Sequence, residues 1–200
     1  MIGEVRVLQL ITDLKEKFPV DVGLFGGSFN PPHVGHTMVV SWLLWTEQVE
    51  EVWLMPTYEH PFEKQMIPFD SRVAACRALA SLFPGRVQVT EIESELTRPS
   101  YTFNSLQTLS AAHPENRFRL VVGSDILDQV HAWHRWDDIV AEYAPILLSR
   151  SGYRDVPGSP VFPEVSSTAI RERLRAGESV NSLVPAVVLS VIADAYKELA

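Results

Sequence analysis

The sequence predicts a Rossmann-like α/β fold, a doubly wound parallel sheet of about five core strands with helices on both faces. Three observations carry this. Short apolar runs at Val20–Phe25, Glu51–Met55, Val87–Glu91, Arg117–Gly123 and Pro145–Ser149 alternate with helical patterns, an order that implies parallel pairing through right-handed crossovers. Turn-forming or polar residues close the strands, at Gly26-Gly27-Ser28, Pro56-Thr57-Tyr58, Gly123-Ser124-Asp125 and Ser149-Arg150. They share one rim, where ligands of such sheets bind. The 200 residues are 46% hydrophobic, enough for one good core. The expected organisation is an added segment, 1–19, and a single domain over 20–200.

Each element has its own reason. Leu8, Ile11, Leu14 and Phe18 fall at helical spacing, so 1–19 reads as an amphipathic helix packed on the core or on a partner. Val20–Phe25 is short enough for a buried strand, and Val34–Thr46 reads as the helix that follows its glycine turn. Pro32 suits the start of that helix, where its missing N–H costs nothing. Ser71–Phe83 is the next helix and holds the single cysteine, Cys76, at a packed position. Glu91-Ile92-Glu93-Ser94-Glu95-Leu96 alternates charged and apolar residues and reads as a solvated strand end. Phe103–Ala112 and Trp136–Ala141 supply two more helices. A further one starts with Ser167 or Thr168 as cap and ends at Gly177. Val184–Leu199 closes the chain, with Pro185 as starter and Val188, Val191, Ala195 and Leu199 along one stripe.

Composition excludes several functions. The net charge of −8 argues against non-specific binding of nucleic acid or anionic membrane. An anionic substrate must then be held by a local cluster of cations. One cysteine forms no internal disulfide, which fits a reducing compartment. The longest apolar runs fall far short of the roughly 20 residues that span a bilayer. The opening residues carry acids and lack the basic-then-apolar layout of a secretory leader, so the expected location is the cytoplasm. No His/Cys cluster has zinc spacing, and no metal held by the protein is expected.

The run Gly26-Gly27-Ser28-Phe29-Asn30-Pro31-Pro32-His33-Val34-Gly35-His36 is the most informative stretch. A glycine pair after a strand lets the backbone approach a phosphate with its amides turned toward it. His33 and His36, three apart, share one face and converge on one ligand. Gly35 between them is a poor helix former, but without a Cβ it lets a flat ring lie against the backbone. A glycine turn alone carries little weight; strand, turn and two imidazoles at a helix start together make a polyphosphate site. No Gly-Lys-Ser/Thr is present, which excludes the Walker loop.

A second constellation, Glu164-Val165-Ser166-Ser167-Thr168-Ala169-Ile170-Arg171, places an arginine in the first turn of a helix. The helix dipole disfavours it there by ~0.3–1 kcal/mol, which is natural if an anion binds beside it. Asp125, Trp133 and His134 follow the fourth strand, and Ser100-Tyr101-Thr102 opens a helix. By residue type alone these also suit packing and capping.

Two of these stretches resemble the signatures of nucleotidyltransferases, which transfer AMP or CMP from a nucleoside triphosphate. His33-Val34-Gly35-His36 is similar to their His-x-Gly-His, and Val165–Arg171 to their Ile/Val-Ser-Ser/Thr-Thr-x-Ile/Val-Arg. Over about nine-tenths of the chain the order of motifs also resembles the bacterial nicotinate-nucleotide adenylyltransferases. These motifs are residues 26–36, Pro61–Lys64, Ser100–Thr102, Gly123–Trp133, Arg150–Gly152 and Ser166–Arg171. The sequence departs from that pattern at Asn30 for Asp, Phe62-Glu63 for a His before the Lys, Asn104-Ser105 for Asp-Thr, His134 for Tyr, and in residues 1–19.

The resemblance implies that ATP and nicotinate mononucleotide are joined to deamido-NAD and pyrophosphate, a step of NAD biosynthesis. It implies catalytic roles for His33, His36 and Arg171. ATP is then bound by Gly26, Gly27, Ser28, Phe29, Gly35, Arg150, Ser166, Ser167 and Thr168. The mononucleotide is bound by Lys64, Tyr101, Thr102, Asp125, Trp133 and His134, with Trp133 stacked on the pyridine ring. Mg²⁺ is expected as cofactor, held mainly by phosphates and water. The alternatives are an enzyme preferring nicotinamide mononucleotide or another phosphorylated acceptor, and a non-catalytic nucleotide-binding module of the same fold. Neither nucleic acid nor membrane is expected as a partner, and a homo-oligomer stays open.

Overall fold

The structure, a computed structural model, describes residues 20–59 and 66–197. Strands β1 (Val20–Gly27), β2 (Glu51–Pro56), β3 (Val87–Val89), β4 (Asn116–Gly123) and β5 (Ile146–Leu148) form one parallel sheet in the order β3-β2-β1-β4-β5. The helices are α1 (Val34–Trp45), α2 (Phe69–Ala80), the short α3 (Ile92–Glu95), α4 (Thr102–Ala112), α5 (Trp136–Tyr143), α6 (Ser167–Arg175) and α7 (Ala186–Lys197). Two 3₁₀ turns, Ser124–Asp128 and Val130–Ala132, follow β4. The predicted doubly wound α/β architecture is the one observed.

Side chains alternate across a strand, so the sheet has two apolar faces. Val52 and Leu54 point into one core, with buried residues of α1, α2, α6 and α7. Trp53 and Met55 point into the other, with Ile92, Phe103, Leu106, Ile139 and Tyr143. The central strands β1, β2 and β4 place apolar residues on both faces, which makes their sequence runs mostly apolar, whereas the edge strand β3 exposes Gln88. Cys76 is buried in the first core, where desolvation pushes its thiol pKa up and leaves it unreactive. No described helix is long and apolar enough to cross a membrane.

Three expectations change. β3 stops at Val89, and the segment read as a solvated strand end forms α3, with Ile92 and Glu93 buried. The Glu93 carboxylate is turned inward because it accepts the Tyr58 backbone N–H at 3.0 Å. On α7 the inward stripe is Val188, Ile192 and Tyr196, four apart, while Val191 is 42% exposed. The α6 cap is Ser166, whose hydroxyl accepts from the Ala169 N–H at 3.1 Å, in place of Ser167 or Thr168. Gly177, with φ +71°, does follow the last turn of α6. The predicted helix within 1–19, Lys64 with the rest of Pro61–Lys64, and Leu199 lie outside the described residues.

Candidate active site

β1 and β4 are neighbours, and the chain leaves them toward opposite edges of the sheet. That is the switch point at which open α/β sheets bind ligands. Two clefts meet there, of about 610 and 380 Å³. Gly26, Gly27, Val121, Val122 and Trp133 line both. The larger extends over His33, Gly35, His36, Asp125, Arg150 and Phe162–Val165. The smaller extends over Thr57, Glu59, Glu93, Ser100–Thr102 and His134. The glycine pair is thus a shared floor without side chains, over which two ligands can meet.

The histidines converge as the spacing predicted. His33 caps α1, His36 lies one turn on, and their ring centroids are 3.8 Å apart. The His33 backbone N–H donates to Nδ1 of His36 at 3.1 Å. A neutral His36 therefore carries its proton on Nε2. His33 lies against Gly35, where a Cβ would come within 3.0 Å of Nδ1. Burial, then the nearby Arg150 charge, lowers the His33 pKa to about 4. Burial, then His33 and Arg150, holds His36 well below the usual range. Both rings are neutral at pH 7, so they offer hydrogen bonds and no positive charge. The start of α1 is also less open than a bare helix N-terminus, because the Val34 N–H donates to the Leu183 carbonyl at 2.9 Å.

The turn after β1 is anchored from its far side. The Gly27 carbonyl accepts the Thr57 N–H at 2.9 Å, and the Ser28 carbonyl accepts Arg72 Nη1 at 2.9 Å. Phe29 adopts φ +47°, a conformation unusual outside glycine, and is 1% exposed. Its ring packs on Phe25 and His36. The Phe29 ring therefore supports the site from beneath and lines neither cleft, which leaves its backbone N–H as the part that can meet ATP. Asn30 is fully buried, and its Oδ1 accepts from Tyr196 Oη at 2.6 Å and from the Ile67 N–H at 3.4 Å. The residue that replaces the usual Asp thus ties the turn to α7.

The second signature packs against the first. Arg171 Nη1 donates to the Asn30 carbonyl at 2.9 Å and Nη2 to Thr168 Oγ1 at 3.2 Å, while Ser167 Oγ donates to the Pro31 carbonyl at 3.0 Å. Val165 and Glu164 line the larger cleft; Ser167 and Arg171 are bonded to the turn, Thr168 to Arg171, and Ser166 to the start of its own helix. With Ser166 as cap, Arg171 is the fifth helical residue. It opens the second turn of α6, not the first, and the dipole argument loses most of its force.

Arg150 and Asp125 pair across the larger cleft at 3.2 Å. Asp125 Oδ1 is buried without a hydrogen-bond partner, and a Cβ at Gly123 would overlap it and lie 2.6 Å from Arg150 Cδ. Only glycine leaves room for this pair. Trp133 contacts Trp136 edge-on, centroids 5.6 Å apart, and keeps a face on both clefts. Tyr101 and His134 stack at 4.4 Å beside the smaller cleft, where Thr102 begins α4. Sequence reasoning missed Glu93, which lines the smaller cleft, and Arg72, which stands behind the turn; polar residues held inside by contacts far along the chain leave no periodic signal.

The cytidylyltransferase-like family matches residues 24–173. A relative from Anaeromyxobacter sp. (strain K), named "Probable nicotinate-nucleotide adenylyltransferase", is 45% identical over 87% of this chain and 94% of its own. A protein of the same name from Myxococcus xanthus is 44% identical over 84% and 88%. Nicotinic acid mononucleotide adenylyltransferase from Plasmodium falciparum, solved in complex with NaAD, superposes with a TM-score of 0.69 at 17% identity, over 89% of this chain and 98% of that one. That likeness is one of fold.

Proposed function

This chain belongs to the cytidylyltransferase-like family, among the nicotinate-nucleotide adenylyltransferases, and we propose that it transfers AMP from ATP to nicotinate mononucleotide. The products are deamido-NAD and pyrophosphate. The observation that carries the reading is the neutral imidazole pair over a glycine floor common to two clefts. ATP occupies the larger cleft and the mononucleotide the smaller, with the reacting phosphates above Gly26-Gly27.

The 5′-phosphate oxygen of the mononucleotide attacks the α-phosphorus of ATP in line. A P–O bond forms as the bond to the α–β bridging oxygen breaks, and the electron pair leaves on pyrophosphate. A phosphate oxyanion is already a nucleophile, so no general base is needed. Catalysis is positioning plus stabilisation of charge on the transferring and leaving groups. His36 donates from Nε2 and His33 beside it, to the α- and β-phosphates, with backbone N–H groups of the turn below. Arg171, Thr168 and Ser167 hold the pyrophosphate end after exchanging their contacts with the turn for phosphate oxygens. Gly35, Ser166 and Arg150 complete the ATP side, where Asp125 pairs with Arg150; Tyr101, Thr102, Trp133, His134 and Lys64 serve the mononucleotide.

Mg²⁺ suits this donor set as an ion carried by the nucleotide, since among the described residues no three His, Cys, Asp or Glu side chains converge on a common point. When bound it neutralises phosphate oxygens. The proposed setting is the cytoplasm, on the strength of a single cysteine. A panel of nucleoside triphosphates and phosphorylated acceptors, read by pyrophosphate release, tests the assignment. Fastest turnover with ATP and nicotinate mononucleotide is expected; release only with CTP, or only with a non-pyridine acceptor, would refute it.

A further inference from the structure

We propose that Arg72 is a positioning residue of the transfer site, fixing from behind the turn that carries the phosphate-binding amides. The proposal rests on the reading above for its kinetic consequence, though its structural content stands alone. Arg72, in the first turn of α2, is 1% exposed and heads the largest fully buried side chains. Its neighbours on the same helix, Val73, Cys76 and Leu79, fill the core with apolar groups. A charged side chain among them is costly unless its donors are used.

They are used on three separate segments. Nη1 donates to the Ser28 carbonyl at 2.9 Å and to the Thr57 carbonyl at 2.7 Å; Nη2 donates to Tyr58 at 3.3 Å; Nε donates to Ile67 at 3.3 Å. The guanidinium also lies 5.4 Å from the Phe69 ring. One planar fork thus joins the turn after β1, the turn after β2 and the approach to α2.

Peptide planarity turns this grip into a directional constraint. A carbonyl and the following N–H point to opposite sides of their plane. Holding the Ser28 carbonyl on Arg72 aims the Phe29 N–H the other way, and the bond from the Gly27 carbonyl to Thr57 does the same for the Ser28 N–H. Thr57 also lines the smaller cleft, whereas none of the carbonyls bound by Arg72 belongs to the far wall of the larger one, Arg150–Tyr153 and Phe162–Val165. Loosening Arg72 therefore disturbs the reacting phosphates and the acceptor, and spares the bulk of the ATP contacts.

The test is Arg72→Lys, which keeps the charge but not the fork, beside Phe69→Leu, a milder change that removes only the ring against the guanidinium. Val73→Ala serves as a control for plain core damage. For Arg72→Lys, kcat per folded molecule should fall about tenfold or more, given how steeply rates depend on sub-ångström placement. The KM for the acceptor should rise several-fold, with that for ATP nearly unchanged. Phe69→Leu should show the same pattern more weakly; Val73→Ala should lower the melting temperature and leave both KM values alone.

Amide hydrogen exchange at Thr57, whose N–H donates to the Gly27 carbonyl and whose own carbonyl is held by Arg72, should speed up in Arg72→Lys and in Phe69→Leu when measured without substrates. Unchanged exchange in both variants overturns the proposal whatever the substrate proves to be. So does wild-type kcat in folded Arg72→Lys, or an equal rise in both KM values. A wild-type enzyme that ignores nicotinate mononucleotide would instead overturn the proposed function, and exchange would still decide the role of Arg72.

Discussion

Replacing Gly35 with alanine should separate stability from activity, because its effects on stability nearly cancel while its effect on activity does not. A Cβ there would stand 3.0 Å from Nδ1 and 3.1 Å from Cε1 of His33, and 3.6 Å from Cβ of Val165. The ring must give by a few tenths of an ångström. It cannot retreat in its plane of stacking, since the His36 ring lies 3.8 Å away and His33 is only 7% exposed. The remaining escape is rotation about χ, at a cost of ~0.5–1.5 kcal/mol for an off-rotamer side chain. Alanine is worth up to ~1 kcal/mol over glycine within a helix. These terms nearly cancel, so the melting temperature should move by no more than about 2–4 °C in either direction. The imidazole nevertheless leaves its place, and misplacement approaching 1 Å costs on the order of 10²-fold in rate. Steady-state turnover and thermal unfolding of the same preparation give both numbers. A fall in kcat of roughly 10- to 100-fold at nearly constant melting temperature is expected. Unimpaired turnover, or a loss explained by unfolding, would refute the argument.

Three further outcomes follow from the same geometry. The His33 pKa is lowered from 6.5 to about 4 by burial. Between those values the unfolded chain binds the extra proton, so stability should fall as pH drops through the window. The loss should reach roughly 3 kcal/mol by its acid end, with His36 pulling in the same direction; denaturant titrations at pH 7 and pH 4.5 should show it, and His33→Asn should flatten the difference. Trp133→Ala removes a stacking face worth about 1–3 kcal/mol for a base-sized ring, so the KM for the mononucleotide should rise while that for ATP barely moves; unfolding without a selective acceptor effect would make Trp133 a core residue. Arg171→Ala should weaken ATP handling more than mononucleotide binding, and equal effects on both Michaelis constants would count against its placement at the pyrophosphate end.

The strands were legible because β1, β2 and β4 set apolar residues on both faces of the sheet, even though Arg117 and Arg119 interrupt β4 and Gln88 is exposed on β3. Segment 91–96 was not, since its alternation of charge with apolar residues suggested a half-exposed strand. What turns Glu93 inward is the Tyr58 N–H, 35 residues away, which donates to its carboxylate. Ser167 and Thr168 were equivalent as caps on paper, and Ser166 was passed over; Ser167 is removed from the choice by its bond to Pro31, and Thr168 accepts from Arg171. On α7 almost every candidate position is apolar, so periodicity could not tell Val191 from Ile192.

The candidate site divides along the same line. Its histidines and glycines, and Arg150 and Asp125 taken singly, could be read because their spacing is local or matches a motif; that Arg150 pairs with Asp125 could not. Their protonation could not, because neutrality comes from burial by the folded chain. Nor could the buried supports: Asn30 meets Tyr196 across 166 residues, and Arg72 meets Ser28 across 44. No local pattern encodes such contacts.

The most direct test of the account is turnover by His36→Ala. His36 is the ring whose Nδ1 is fixed by the His33 N–H at 3.1 Å, leaving Nε2 as the donor to the transferring phosphate. Removal of one such donor costs ~2.7–4 kcal/mol, or roughly 10²–10³ in rate. With ATP and nicotinate mononucleotide at saturation, a folded variant should lose that much kcat, while its melting temperature shifts only by what one lost hydrogen bond explains. A folded His36→Ala protein that turns over at the wild-type rate would contradict the account.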